Sequence, residues 1–198
     1  MQQLPKNTFL QGGKYRIEKV LGQGGFGITY LATQELLDRK VCIKEFFYKE
    51  YCERDKATSH VSLGTQSNHE IVERFLNKFL KEARTISQLE HPNIIKIHDI
   101  FKENNTAYYV MDYIEGKSLS EMVNQGGALP EAIAMEYIEQ IASALNFIHQ
   151  RSINHLDVKP VNIMIRKSDN KAILIDFGAS KQYDEQGSQT STTPVGIR

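Results

Sequence analysis

Apolar and polar positions alternate along Tyr15-Arg16-Ile17-Glu18-Lys19-Val20-Leu21, the period of a half-buried strand. A β-rich run, Ile28-Thr29-Tyr30-Leu31-Ala32-Thr33, follows a cluster of glycines, and Lys40-Val41-Cys42-Ile43-Lys44-Glu45-Phe46 predicts a third strand. Two more are expected at 94–100 and 106–111, on either side of the charged turn Lys102-Glu103-Asn104-Asn105. Between the third and fourth strands the period changes. Ile71, Val72, Phe75, Leu76, Phe79, Ala83, Ile86 and Leu89 recur at helical spacing, and Ser67-Asn68-His69-Glu70 has the spacing of a capping box at the helix start. Beyond 112 a second helix is expected after Pro130, with Ile133, Tyr137, Ile138, Ile141, Leu145 and Ile148 on one face. The pattern predicts an α+β chain: a five-stranded antiparallel sheet with one long helix, then a mainly helical part. Residues 1–13, ending in Gly12-Gly13, are expected to be a tail.

Composition narrows the class without naming a function. At 198 residues the chain holds one large domain or two small ones, and 40% apolar with 24% charged residues is ordinary for a soluble globular protein. Lys+Arg and Asp+Glu balance at 24 each, so no charge excess points to nucleic acid or an anionic membrane as partner. Two cysteines, Cys42 and Cys52, make no disulfide framework and suit a reducing cytoplasm. No signal peptide, membrane-spanning run, internal repeat or low-complexity segment is evident.

The chemistry is concentrated in Ile153-Asn154-His155-Leu156-Asp157-Val158-Lys159-Pro160-Val161-Asn162-Ile163-Met164-Ile165, a polar loop held between apolar runs. A carboxylate at 157 accepts a hydroxyl proton, a lysine at 159 neutralises a phosphate, and an amide oxygen at 162 ligates a hard cation. Alone, such a string is also the pattern of a charged turn. Further on, Ile173-Leu174-Ile175-Asp176-Phe177-Gly178 is an apolar strand ending on an acid, an aromatic and a glycine. Upstream, Gly22-Gln23-Gly24-Gly25-Phe26-Gly27 joins two strands, whereas a dinucleotide-binding fingerprint needs a helix after its glycines. It fits a glycine-rich hairpin over phosphates as readily as it fits a loose β-turn. Lys44 closes an apolar strand, and Glu82 lies on the apolar stripe of the long helix, where a carboxylate is costly without a partner; Lys44 is the candidate.

Together these strings resemble the protein kinase family, with His155-Leu156-Asp157 at the catalytic loop, Asp176-Phe177-Gly178 at the DFG segment, and His91-Pro92-Asn93 at the turn past the helix. The resemblance implies a kinase-like fold, with a small lobe at 14–112 and, past a hinge, a larger lobe at 113–198 truncated inside its activation segment. It implies ATP and Mg²⁺ as cofactors and a protein substrate with a serine or threonine acceptor. Asp157 would be the base, Lys159 would contact the γ-phosphate, Lys44 held by Glu82 would anchor the α- and β-phosphates, and Asn162 and Asp176 would carry the metal. Nucleotide contacts would come from Leu21, Gly22, Gln23, Gly24, Gly25, Phe26, Gly27, Ile28, Thr29, Cys42 and Lys44, with Met111 as gatekeeper, the backbone of Asp112 and Ile114 on the adenine edge, and Met164 beneath the ring. Lys159-Pro160 resembles the serine/threonine branch, and Ile43-Lys44-Glu45-Phe46-Phe47 resembles bacterial members.

Several features depart from the pattern. Thr29 and Cys42 stand where valine and alanine are usual, and Leu156 replaces the arginine that pairs with a phosphorylated activation loop. Ile197 stands near the position of a family threonine that touches the catalytic loop. An extra segment at 48–68 separates Lys44 from Glu82; its Cys52 and His60, with His69, lack zinc-finger spacing, so it reads as a surface insertion or docking element. Ser188, Thr190, Ser191, Thr192 and Thr193 are either autophosphorylation sites or plain loop. No Ala-Pro-Glu motif follows, so the chain reads as a fragment of a longer protein, with apolar surface exposed on the 131–149 helix. Rival functions are a nucleotide-binding pseudokinase or regulatory scaffold, a Rossmann-type protein, and a small-molecule phosphotransferase. The oligomeric state is not legible.

Overall fold

The computed structural model describes residues 2–63, 69–178 and 180–182, and the chain falls into two compact units. One comprises Met1–Ser87 with Ile97–Tyr113, the other Gln88–Lys96 with Ile114–Arg198.

The first unit is built on an antiparallel sheet of strands β1 (Phe9–Leu10), β2 (Tyr15–Gln23), β3 (Gly27–Gln34), β4 (Arg39–Phe46), β7 (Ile97–Glu103) and β8 (Thr106–Asp112), in the order β1-β2-β3-β4-β8-β7. The five expected strands are present, and a sixth comes from the segment expected to be a tail. Leu4 and Leu10 are buried, so the segment has apolar surface to place. Gln11, Gly12 and Gly13, all at positive φ, turn the chain back on itself. Asn7 N–H then donates to Ile17 O (2.8 Å) and Ile17 N–H to Thr8 O (2.9 Å). Lys14 Nζ meets Asp99 Oδ2 at 2.6 Å, closing that edge onto β7.

Helix α1 (His69–Ser87) buries Val72, Phe79, Leu80, Ala83 and Ile86. Phe79 packs on Phe46 of β4 and Tyr109 of β8, with ring centroids 5.7 and 4.9 Å apart. The expected Ser67 cap lies outside the described residues. The described part of the extra segment between β4 and α1 contains a short hairpin, β5 (Cys52–Arg54) with β6 (Val61–Leu63). Val61 N–H donates to Asn104 O (2.8 Å), and Asn105 Nδ2 donates to Val61 O (2.9 Å), fixing the hairpin to the β7–β8 turn.

In the second unit, α2 (Leu119–Gly126) starts with a capping box in which Glu121 N–H donates to Ser118 Oγ (3.1 Å) and Ser118 N–H to Glu121 Oε2 (2.7 Å). Helix α3 (Glu131–His149) buries Tyr137, Ile141, Ala144 and Ile148, while Ile133, Met135 and Ile138 are exposed. A three-stranded sheet is ordered β12 (Ala172–Leu174), β11 (Ile163–Arg166), β9 (Gly116–Ser118). A Cβ on Gly116 would fall 1.9 Å from Ile165 O, so only glycine lets β9 pair here. A second small pair joins β10 (Ile153–Asn154) to β13 (Lys181–Gln182). The strand expected from Ile94 begins at Ile97 because Ile94 and Ile95 are taken by Leu174, whose O accepts from Ile95 N–H at 3.0 Å. Asn93 anchors that turn, donating from Nδ2 to Ala172 O (2.8 Å) and Gln140 Oε1 (2.9 Å).

Candidate functional site

The first unit carries the candidate phosphate-binding residues. β2 and β3 pair up to Gly22↔Thr29 and Gln23↔Ile28, and Gly24 N–H donates to Gly27 O (2.9 Å), closing a tight hairpin. A strand follows the glycines, as the sequence requires of a phosphate-covering hairpin. Gly27 is sterically obligatory, because a Cβ there would meet Glu45 O at 2.7 Å. Around Gly22, Gly24 and Gly25 a Cβ would meet nothing within 4 Å, so this backbone is open to an approaching anion. Leu21 and Phe26 are exposed beside it and Ile28 is buried.

Register places the remaining residues on one face. Thr29, Lys44 and Tyr109 form one cross-strand row and Leu31, Cys42 and Met111 another, two residues along the same strands. Side chains of such rows project from the same face of a sheet. α1 lies on that face, since Phe79 touches both Phe46 and Tyr109. Lys44 Nζ sits 5.7 Å from the centre of the same Tyr109 ring. Glu82, on the turn of α1 after Phe79, is half-buried. Lysine and helix stripe thus converge on one aromatic ring. Burial pushes the Cys42 thiol up to about 12, so it is a small neutral hydrophobe at physiological pH. Asp112, at the end of β8, accepts from or pairs with His98 Nε2 at 2.6 Å.

The second unit carries the candidate catalytic loop. Asn162 is buried at the end of a single 3₁₀ turn, Pro160–Asn162, and donates from Nδ2 to Asp157 O (2.9 Å) and Asp157 Oδ2 (3.0 Å). Lys159 Nζ lies 2.8 Å from the same Oδ2. Both contacts orient the carboxylate, and neither uses Oδ1. With its amide nitrogen committed to Asp157, Asn162 presents its Oδ1 as an acceptor for a cation. Ile175 N–H donates to Asn162 O (2.9 Å), which ties the loop to the strand leading into Asp176. Met164 lies mid-strand in β11 opposite Ile173, and Ile114 is buried where the chain enters this unit.

His155 is the loop's hub, fully buried and edge-on to Phe177 with centroids 4.6 Å apart. Its Nδ1 accepts from Asp157 N–H at 3.3 Å and its Nε2 faces Ile175 O at 3.4 Å, which assigns the proton to Nε2. Burial holds the imidazole below its ordinary range, so the ring is neutral here. Leu156 and Asp176 adopt left-handed backbones, φ 62° and 56°. Non-glycine residues rarely do so, and such strain gathers at functional sites. Leu156 projects into solvent at 56% exposure. Gly178 N–H donates to Asp176 Oδ1 at 3.3 Å. Ile197 and the serine and threonine cluster at 188–193 lie outside the described residues.

Sequence reasoning missed one polar cluster beside the site. Glu45, next to Lys44, is fully buried and accepts from Tyr30 Oη and Tyr108 Oη, each at 2.7 Å. Arg54 Nη2 approaches Glu45 Oε2 at 2.6 Å, an ion pair by distance though not aligned as a hydrogen bond. The available signal was an acid in step with Val41 and Ile43 on an apolar strand face, which demands a partner.

Comparison with known proteins identifies the family. A family model described as "Protein kinase domain" matches residues 15–196. The serine/threonine-protein kinase PrkC of Bacillus subtilis is 37% identical over 166 residues, covering 84% of this chain and 22% of that protein. Pkn2 of Myxococcus xanthus, another serine/threonine-protein kinase, is 32% identical over 196 residues, covering 98% and 21%. A solved structure described as "PpkA-294 apo form" superposes with a TM-score of 0.83 at 29% identity, covering 90% of this chain and 62% of its own. The chain thus spans about a fifth of the curated relatives it matches. By fold, motif geometry and descent alike, the chain belongs to the protein kinase domain family.

Proposed function

We propose that the parent protein transfers the γ-phosphoryl group of ATP to serine or threonine hydroxyls of protein substrates. The observation that carries this reading is the Asp157–Lys159–Asn162 arrangement, in which Nδ2 of Asn162 and Nζ of Lys159 both hold Oδ2 of Asp157. That leaves Oδ1 to accept the proton of an attacking hydroxyl. The acceptor oxygen bonds to the γ-phosphorus as the bond to the β–γ bridging oxygen breaks, releasing ADP. Lys44, oriented by Glu82, neutralises the α- and β-phosphates, and Lys159 swings between Asp157 and the γ-phosphate. The hairpin from Leu21 through Thr29 covers the phosphates with backbone N–H groups. Cys42, Met111 and Met164 pack on the adenine, whose edge is bonded by the backbone of Asp112 and Ile114.

The donors fit Mg²⁺. Asn162 Oδ1 and the Asp176 carboxylate would hold it, being hard oxygens of the kind it selects. When bound, the ion spreads the negative charge that builds on the transferring group. The lobe division proposed is the one read from sequence, 14–112 and 113–198, and the cytoplasm is the proposed location. Among the described residues no helix is long and apolar enough to cross a membrane.

The test is transfer of label from γ-labelled ATP with Mg²⁺ to a mixed peptide acceptor, by the protein in its natural full length. Label on serine or threonine is expected. Tight Mg·ATP binding without any transfer would replace this reading with the nucleotide-binding pseudokinase or scaffold.

A further inference from the structure

The stretch that leaves β4 does not simply cross to α1; it returns to the tip of the glycine-rich hairpin. Phe47 N–H donates to Phe26 O and Lys49 N–H to Gly25 O, each at 3.1 Å. Between these two bonds the Tyr48 ring lies against Phe26, centroids 4.7 Å apart, and edge-on to Phe75 of α1 at 5.2 Å. Phe26 itself reaches Phe75 at 5.2 Å, so a ring from the hairpin tip, one from the inserted segment and one from the helix touch pairwise. Phe26 is still 48% exposed, and these rings are what hold it. Tyr48 is fixed in turn: its carbonyl accepts from Tyr51 N–H (3.0 Å) and Cys52 N–H (2.8 Å). The far end of the segment is nailed down by Arg54, which besides meeting Glu45 donates to Gln2 O (2.8 Å) and Ser59 O (2.7 Å).

From this we infer that the segment from Phe47 to Arg54 is a strap that fixes the tip of the glycine-rich hairpin, with Tyr48 as a positioning residue for the backbone that receives the nucleotide's phosphates. The inference rests on the ATP reading above and deepens it. A glycine-rich turn without such a brace loses entropy when it closes on an anion; a turn already held by two backbone bonds and an aromatic cluster has lost that freedom on folding. The strap therefore raises affinity for the phosphate tail and leaves the adenine contacts alone. An aromatic contact stabilises beyond the area it buries, so losing the Tyr48 ring weakens ATP by about three- to tenfold.

The experiment measures Kd for Mg·ATP and for adenosine by calorimetry on the full-length protein, its Tyr48→Ala and Tyr48→Phe variants, together with hydrogen exchange at the Phe47 and Lys49 amides of the unliganded wild type. Expected are an ATP loss of about three- to tenfold in Tyr48→Ala, adenosine changed by less than about twofold, and recovery in Tyr48→Phe, which keeps the ring. Equal weakening of both ligands, or of neither, overturns the strap. If Tyr48→Ala does not fold, the wild-type amides decide: slow exchange at both supports the strap, and exchange at the unstructured rate overturns it. A wild type that binds neither ATP nor adenosine refutes the ATP reading, and with it the positioning role, whatever the amides report about the strap itself.

Discussion

Replacing Arg54 by methionine tests whether the inserted hairpin is integral to the first unit. The side chain is 2% exposed and Glu45 is 0% exposed, so the substitution keeps volume but strands a carboxylate inside the sheet. Removing one partner of a buried pair costs about 3–5 kcal/mol, because the remaining charge stays desolvated. Two features move the value in opposite directions. Tyr30 and Tyr108 still donate to Glu45, which lowers the cost, while Gln2 O and Ser59 O lose their donor at about 1 kcal/mol each. About 4 kcal/mol is expected, a large share of the 5–15 kcal/mol typical of a folded domain. Urea unfolding monitored by circular dichroism gives the difference. The double variant Arg54→Met/Glu45→Gln removes the stranded charge and should be more stable than the single one by about 1–2 kcal/mol. A single variant costing under about 1 kcal/mol, or a double variant less stable than the single, would refute the reasoning.

Three further outcomes are expected. His155 is held neutral by burial, so below its unfolded pKa of about 6.5 the unfolded chain takes up a proton that the fold refuses. Its contribution is fully present above that pH and shrinks as pH falls, by up to about 1.4 kcal/mol per unit. His91, also depressed by burial, acts in the same direction, so His155→Gln should flatten the loss between pH 6.5 and 5 without abolishing it, and an unchanged slope would count against the assignment. Cys42 and Cys52 are buried with thiols pushed up, so neither should react quickly with a thiol reagent at pH 7.5; fast labelling of either in folded protein contradicts the packing. Leu156 offers no guanidinium to a phosphorylated activation loop and points into solvent, so phosphatase treatment should leave the rate nearly unchanged, and a large loss would show another phosphate partner.

The elements were legible where periodicity was strong. The strand at 15–21 and the long helix follow from periods of two and 3.6, while those at 28–33, 40–46 and 106–111 follow from β-rich apolar runs, since β3, β4 and β8 bury residues on both faces. What escaped depended on distant partners. Leu10 looked like a tail because nothing local shows the edge of β2 with which it pairs, and Leu4 because its partner, Tyr30 Oη on β3, is distant in sequence. Ile94 and Ile95 looked like strand because they are apolar, yet their backbone partner is Leu174, far along the chain. The capping box at Ser118–Glu121 has the same spacing as the one read at Ser67–Glu70, but the helix it starts is only eight residues long. On α3, Ile133 and Ile138 continue the helical stripe and yet are exposed, while Ala144 is buried: hydrophobicity marked the helix but not which positions pack. In the candidate site, Asp157, Lys159, Asn162 and Asp176 were readable because a short string carries them. The roles of Tyr48, Glu45 and Arg54 were not, since those contacts exist only once an inserted hairpin has folded back onto the sheet.

The most direct test of the central claim is the turnover of Asp157→Asn at saturating Mg·ATP and acceptor peptide, measured beside its Kd for Mg·ATP. Asparagine keeps the shape that Asn162 and Lys159 surround but removes the negative charge proposed to take the hydroxyl proton. A fall in kcat of about 10²–10³, with Kd changed by less than about twofold, is the result predicted for a catalytic base. Turnover retained within about threefold of wild type would place proton acceptance elsewhere and contradict the account.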